Sequence, residues 1–258
     1  GGLGSDFELF KTTDKNRGEM MVESIEMIHR IWASDPPYHI AGKYWDITIE
    51  KAWLPKLGIG PMLKPYQKPY PPLAVSAMSP SSYMARLAGE RGWGLISANF
   101  TPPRHAQSHW QQYRAGAEAA GRRPDLGQWS LARTILVTET DQEARDYLSN
   151  DSCSVGWYYA YLRDNLATHN LLKIFKPAES IPDAAVTVQN CFEWMVIHGS
   201  PRRVLDQLAA LVDEVGAFGT LLLTHKEWDK PTLHQRSMAL LAEQVMPKLR
   251  QHARQAGK

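Results

Sequence analysis

Residues 73–83 read Leu-Ala-Val-Ser-Ala-Met-Ser-Pro-Ser-Ser-Tyr, and the chemistry they could do is anion binding. A buried strand over Leu73–Met78 runs into a helix start, with Ser79 suited to the N-cap, Pro80 to the first helical position, and Ser81 and Ser82 to the first turn. Free backbone N–H groups and the positive end of the helix dipole there meet three hydroxyls, a combination that suits a phosphate. Local pattern alone favours a capping serine beside two surface serines; the functional alternative is a cofactor phosphate.

Two further sets of residues could carry chemistry. His225 follows the apolar run Leu221-Leu222-Leu223-Thr224 and precedes Lys226, Glu227 and Trp228, so an imidazole and an indole stand at the carboxyl end of the last strand. His105 and His109 are four apart on a predicted helix, the spacing of a metal pair. No Glu follows the first in a His-Glu-x-x-His pattern and no third ligand is evident, so both are expected to face solvent and no metal site is expected. Ser–His–Asp hydrolysis lacks a Gly-x-Ser-x-Gly elbow.

These groups need a frame. Met21, Ile25, Ile28 and Trp32 repeat at helical spacing and predict an amphipathic helix over residues ~15–34, followed by a small hairpin around Ala41-Gly42-Lys43. Residues 50–72 hold six prolines and two glycines, too broken for regular structure; so long a connection is often functional or a lid. Then strand and helix alternate: strands at 73–78, 94–100, 130–138 and 218–224, with helices at 80–91, 104–120, from 141, from Ser200-Pro201 and over 232–251. Such alternation predicts βα units on a parallel sheet. Residues 150–198 are expected to be an aromatic-rich helical insertion, which could wall a hydrophobic pocket. Four βα units make half of a (β/α)8 barrel or a small doubly wound sheet. With no Gly-x-Gly-x-x-Gly turn, and with Ser79, Asn99, Thr138 and His225 at strand ends, the barrel is the better reading.

Composition narrows the partners. In 258 residues, 29 Lys and Arg oppose 27 Asp and Glu, for a net charge of +2, so no strong field is offered to nucleic acid or anionic lipid. The two cysteines, Cys153 and Cys191, form no Cys-x-x-Cys pair, and no apolar run reaches the ~18 residues of a membrane span. The expectation is a cytoplasmic protein acting on small molecules.

Several ordered stretches resemble one family. They are Gly2-Leu3 with Ser5-Asp6-Phe7, Lys64-Pro65-Tyr66-Gln67-Lys68-Pro69 leading to Ala77-Met78-Ser79-Pro80-Ser81, Leu87 to Gly92, Ser97 to Phe100, Arg133 to Thr138, Gly199-Ser200-Pro201, and Phe218-Gly219-Thr220 through His225 and Trp228 to Met246-Pro247. Together they are similar to the luciferase-like flavin-dependent monooxygenases, in the branch of limonene monooxygenase-like and diketocamphane monooxygenases. The resemblance implies a (β/α)8 TIM barrel of the bacterial luciferase type, a single domain over 1–258 holding about the last four βα units, with 150–198 as its insertion. It also implies that these residues are the carboxyl part of a longer polypeptide, or that an amino half is supplied otherwise.

The implied cofactor is flavin mononucleotide (FMN), with the deazaflavin F420 as second choice. By the same resemblance the segment Ser79 to Ser82 holds the flavin phosphate, Gly2 and Leu3 help hold the cofactor, and Asn99 lies near the flavin. Met78, where bacterial luciferase has a Glu, packs against flavin or substrate. His225 and Trp228 belong to the substrate pocket. The implied reaction inserts one oxygen atom of O2 into a small hydrophobic substrate, with reduced FMN from a separate reductase and a homodimer as the assembly. Hydride transfer with F420, or a non-catalytic flavin-binding role, are the alternatives.

Overall fold

A computed structural model describes residues 3–150 and 152–256, in two compact units, 1–72 and 73–258. In the first unit, α1 (Gly4–Leu9) precedes α2 (Arg17–Ala33), and an antiparallel hairpin pairs β1 (Tyr38–Ala41) with β2 (Asp46–Ile49). Glu23 on α2 accepts from the amides of Lys43, Tyr44 and Trp45 at 2.9, 2.8 and 3.0 Å, which fastens the hairpin turn to the helix. Lys64 donates to the carbonyls of Ile31 and Ser34, capping the last turn of α2 where a cation is favoured. Residues 50–72 hold only one short 3-10 turn, Pro55–Leu57, as their prolines dictate.

The second unit alternates strand and helix. Its elements are β3 (Ala74–Ala77), α3 (Tyr83–Arg91), β4 (Gly94–Ser97), α4 (Pro103–Ala119), β5 (Trp129–Val137), α5 (Asp141–Leu148), α6 (Ser154–Thr168), α7 (Val188–Met195), β6 (Val196–Gly199), α8 (Pro201–Val215), β7 (Thr220–Thr224), α9 (Pro231–Leu240) and α10 (Met246–Ala256), with a π turn at Leu241–Val245. All five strands from β3 to β7 pair in parallel. Leu131 pairs with both Ser97 and Leu221, and Thr134 with both Val196 and Thr224. A strand has two edges, so β4 and then β6 run along one edge of β5 while β7 takes the other.

β5 is the centre of this sheet, buried at every position except the half-buried Ser130, whereas β3 and β7 are largely exposed. Around it, α3 and α4 cross closely because each has a glycine at the contact. A Cβ on Gly89 would stand 2.0 Å from the Tyr113 carbonyl oxygen, and one on Gly116 2.0 Å from that of Arg86.

Within 150–198 the helices α6 and α7 form as expected, but the segment ends in strand β6, whose four residues are too short for a periodic signal. Three of its aromatics are core: Tyr159, Phe175 and Phe192 are almost fully buried, in one cluster with Phe100, Leu136 and Tyr147, whereas Trp157 and Tyr161 are exposed. Among the described residues, no helix is long and apolar enough to cross a membrane.

Candidate functional site

The helix after β3 starts three residues later than Ser79 and Pro80 suggest. Pro80 and Ser81 make a turn, Ser81 adopts φ 51°, and Ser82 is the N-cap of α3 without a capping side-chain bond. Pro80 fits either place, because its fixed φ suits a turn as well as a first helical position. Ser79 and Ser81 are exposed and Ser82 is buried. Among the described residues no group accepts from the amides of Tyr83 and Met84. A first turn lacking an internal cap, flanked by three hydroxyls at the carboxyl end of a parallel strand, can bind an anion. Met78, 41% exposed, borders it.

The turn is tied to α4. His109 Nε2 lies 2.9 Å from the Ser79 carbonyl oxygen, its Nδ1 lies 3.0 Å from Ser97 Oγ, and Trp129 Nε1 donates to that same Oγ at 3.0 Å. Ser108 Oγ accepts from the Ser81 amide at 3.1 Å. His105 and His109 are therefore not solvent-facing, as expected from spacing, but 2% and 0% exposed. They share one helical stripe with Tyr113 and Gly116, so α4 turns its imidazoles toward the sheet and the turn. Burial pushes both down to about 4, with the Arg104 cation adding to the effect at His105 and the bond to Ser79 opposing it at His109.

Asn99, two residues beyond β4, is buried and fully oriented. Its Nδ2 donates to Thr134 Oγ1 at 3.0 Å and its Oδ1 accepts from Tyr158 OH at 3.1 Å. Thr134 Oγ1 in turn lies 3.2 Å from Thr224 Oγ1. This chain joins α6 to β5 and to the end of β7, and Lys226 Nζ sits 3.4 Å above the Tyr158 ring.

Beyond β7 the rings of His225 and Trp228 lie 5.9 Å apart, and both approach the buried His234, at 4.3 and 6.2 Å. Asp229 accepts from His234 Nε2 at 2.8 Å, from Tyr147 OH at 3.0 Å and from the Ser154 amide at 3.0 Å. Partial burial alone would raise its pKa; these donors more than offset that and bring it to about 2. Burial lowers the pKa of His225, against a bond to the Lys226 carbonyl, which favours the neutral imidazole. A cavity of about 400 Å³ opens beside this group, lined by Ser154, Trp157, Lys226 and Asp229 among others. A larger one, about 660 Å³, lies at the opposite, amino end of β7 between α8 and α10, and is mostly apolar. Parallel sheets bind ligands at the carboxyl ends of their strands, so the smaller cavity is the relevant one.

Of the residues singled out in the sequence, Met78, Ser79, Ser81, Ser82, Asn99, His225 and Trp228 all lie at the carboxyl ends of β3, β4 and β7. Leu3 is the N-cap of α1 in the other unit, and Gly2 lies outside the described residues. Sequence reasoning missed Tyr158, Asp229 and His234, and placed His109 on the wrong face. The alignment of His105 and His109 with Tyr113 and Gly116 on one stripe was the available signal. Among the described residues, no group of three or more His, Cys, Asp or Glu could hold a metal ion.

The family model for luciferase-like monooxygenases matches residues 1–217. The chain is 27% identical to 3,6-diketocamphane 1,6-monooxygenase of Pseudomonas putida over 91% of its own length and 63% of that protein. It is 25% identical to limonene 1,2-monooxygenase of Rhodococcus erythropolis over 96% of its length and 58% of that protein. The structure is similar, with a TM-score of 0.75 and 25% identity, to the oxygenating constituent of 3,6-diketocamphane monooxygenase from Pseudomonas putida, a type II Baeyer-Villiger monooxygenase in complex with FMN; 92% of this chain and 65% of that one are covered. The chain thus spans under two thirds of the length of these relatives.

Proposed function

Because the chain belongs to the luciferase-like monooxygenase family, we propose that it binds FMN by its phosphate at the Ser79–Ser82 turn and serves insertion of one oxygen atom of O2 into a small hydrophobic substrate. The observation that carries this reading is the uncapped first turn of α3 at the carboxyl end of β3, in a chain similar to an FMN-bound relative. Reduced FMN, when bound, supplies the electrons that activate O2. Ser79, Ser81 and Ser82 donate to the phosphate, with the amides of Tyr83 and Met84 as further donors. Asn99, held by Tyr158 and Thr134, offers one remaining amide hydrogen toward the flavin, and Met78 supplies an apolar, polarizable contact. His225 and Trp228 line the substrate side, where the indole excludes water and the neutral imidazole can accept a proton.

The parallel sheet is read as one arc of a (β/α)8 barrel of the bacterial luciferase type, with β3 and β7 as the edges that further strands continue and 150–198 as an insertion in a single barrel domain. A separate reductase as the source of reduced FMN, and a homodimer, complete the reading. Titration of the protein with FMN and with riboflavin tests it first: FMN is expected to bind at least about tenfold tighter through its phosphate, and equal affinity overturns the phosphate assignment. Oxygen uptake with reduced FMN, stimulated by a small cyclic ketone or terpene that gains one oxygen atom, tests the reaction; uptake indifferent to every such substrate overturns it.

A further inference from the structure

We infer that His109 is a positioning residue for the phosphate turn, fixing Ser79–Ser82 in its anion-binding shape through a directed chain of hydrogen bonds from the core. The inference rests on the phosphate reading above. It follows from the direction of each bond. An indole N–H only donates and a backbone carbonyl only accepts. Trp129 Nε1 therefore donates to Ser97 Oγ, and His109 Nε2 must carry the hydrogen that reaches the Ser79 carbonyl. Its Nδ1 is then left as an acceptor, and the Ser97 hydroxyl, already accepting from Trp129, donates to it. One tautomer satisfies all three bonds, and Trp129, Ser97 and His109 are each 0% exposed, so water does not compete for any of them.

The base of the chain is rigid. Trp129 stacks on Trp110 with ring centroids 5.3 Å apart and planes 4° apart, and Trp110 stacks in turn on Tyr113. Its far end acts on a group of the turn that would oppose an anion. The Ser79 carbonyl oxygen carries partial negative charge, and His109 holds it toward α4. One residue earlier on the helix, Ser108 Oγ takes the Ser81 amide and passes its own hydrogen to the His105 carbonyl. Gripped at both points, the chain passes through Ser81 at φ 51°, a conformation that a non-glycine residue keeps only when its surroundings impose it. The turn then presents together the amides of Tyr83 and Met84, from which no group of the described residues accepts.

The test measures FMN and riboflavin affinities of the full chain as wild type, His109→Ala, His109→Gln and His109→Asn, each with its thermal midpoint. His109→Ala is expected to weaken FMN about tenfold or more, the loss of roughly one charge-assisted contact, while riboflavin affinity changes less than about twofold. Gln, whose amide can reach the position of Nε2, restores most of the FMN preference; Asn, a bond shorter, does not. An unchanged ratio of FMN to riboflavin affinity in His109→Ala assigns the residue to packing and overturns the inference while leaving the phosphate reading intact. No FMN preference in the wild type overturns both. Should His109→Ala fail to fold, the nitrogen chemical shifts of His109 in the wild type decide: the Nε2–H tautomer at neutral pH is required, and the Nδ1–H tautomer or an imidazolium overturns it.

Discussion

Asp229 and His234 share a 2.8 Å hydrogen bond in which the imidazole is completely buried and the carboxylate is 31% exposed. The same carboxylate takes the Tyr147 hydroxyl and the Ser154 amide, so one side chain joins α5, the start of α6 and the start of α9. Asp229→Ala leaves a buried imidazole N–H without its acceptor and is expected to cost about 1–3 kcal/mol at pH 7. The folded carboxyl, near 2, lies below its ordinary value of 3.8, so its contribution is present above pH ~4 and disappears as pH falls toward 2. Denaturation midpoints of the two proteins should differ at pH 7 and converge in acid; a constant gap would show that packing, not charge, is at stake.

Gly89 and Gly116 each put backbone against backbone between α3 and α4. With the nearest atom of the partner helix at 2.0 Å from an added Cβ, Gly89→Ala or Gly116→Ala must push the helices apart. Overpacking of this kind costs about 1–3 kcal/mol, and more where only backbone can move. Because α4 carries His109 and Ser108, the displacement should also lower FMN affinity. Thermal midpoints matching the wild type in both variants would contradict this packing.

Ser81 separates the conformation of the turn from its chemistry. Ser81→Gly keeps φ 51° at no steric cost, and stability should stay within about 1 kcal/mol of the wild type while FMN affinity falls with the lost hydroxyl. Ser81→Val places a β-branched residue in the left-handed region and should lose both stability and binding. Calorimetry and flavin titration on the pair distinguish the effects; FMN affinity unaltered in Ser81→Gly removes that hydroxyl from the site.

Much of the scaffold was legible from residue patterns, because β4 and β5 carry apolar runs, α8 carries a clear apolar stripe, and caps such as Ser200 accept from the first turn, here from the Arg203 amide. Failures came where distant residues decide a local outcome. Ser79 looks like an N-cap, yet the turn is held by His109 and Ser108 from a helix some thirty residues on, so the helix starts at Tyr83. β6 is recognisable only by its pairing with β5. Asp229 and His234 have no spacing that announces them, since their partners Tyr147 and Ser154 come from 75 to 82 residues away. The polar residues expected at strand ends, by contrast, do stand at the carboxyl edge of the sheet.

Tyr158 connects the insertion to Asn99. Tyr158→Phe removes the donor to a buried amide oxygen and is expected to cost about 1–3 kcal/mol, with the Asn99 amide freed to flip. Lys226→Met, which removes only the cation above the ring, should cost less than about 1 kcal/mol alone. In a double-mutant cycle Lys226→Met should couple with Tyr158→Leu, which removes the ring that the cation faces. Strict additivity would place Lys226 outside the network.

The pH dependence of folding should report the buried histidines of α4. His105 and His109 titrate near 4 when folded, because burial penalises the imidazolium, against 6.5 as the ordinary value. Between these values the unfolded chain binds protons that the folded chain refuses, so protonation favours unfolding. Their contribution is present above pH ~6.5 and is lost as pH falls through 5 toward 4, on the order of 2–4 kcal/mol for each over the whole window. Urea midpoints measured from pH 7 down to 4.5 should therefore decline steeply in the wild type. Substituting His109 by Gln, which cannot take the proton, should flatten the decline by up to one proton, and His105→Gln by a similar amount. Curves of equal steepness in all three proteins would mean that neither imidazole is held neutral by the fold.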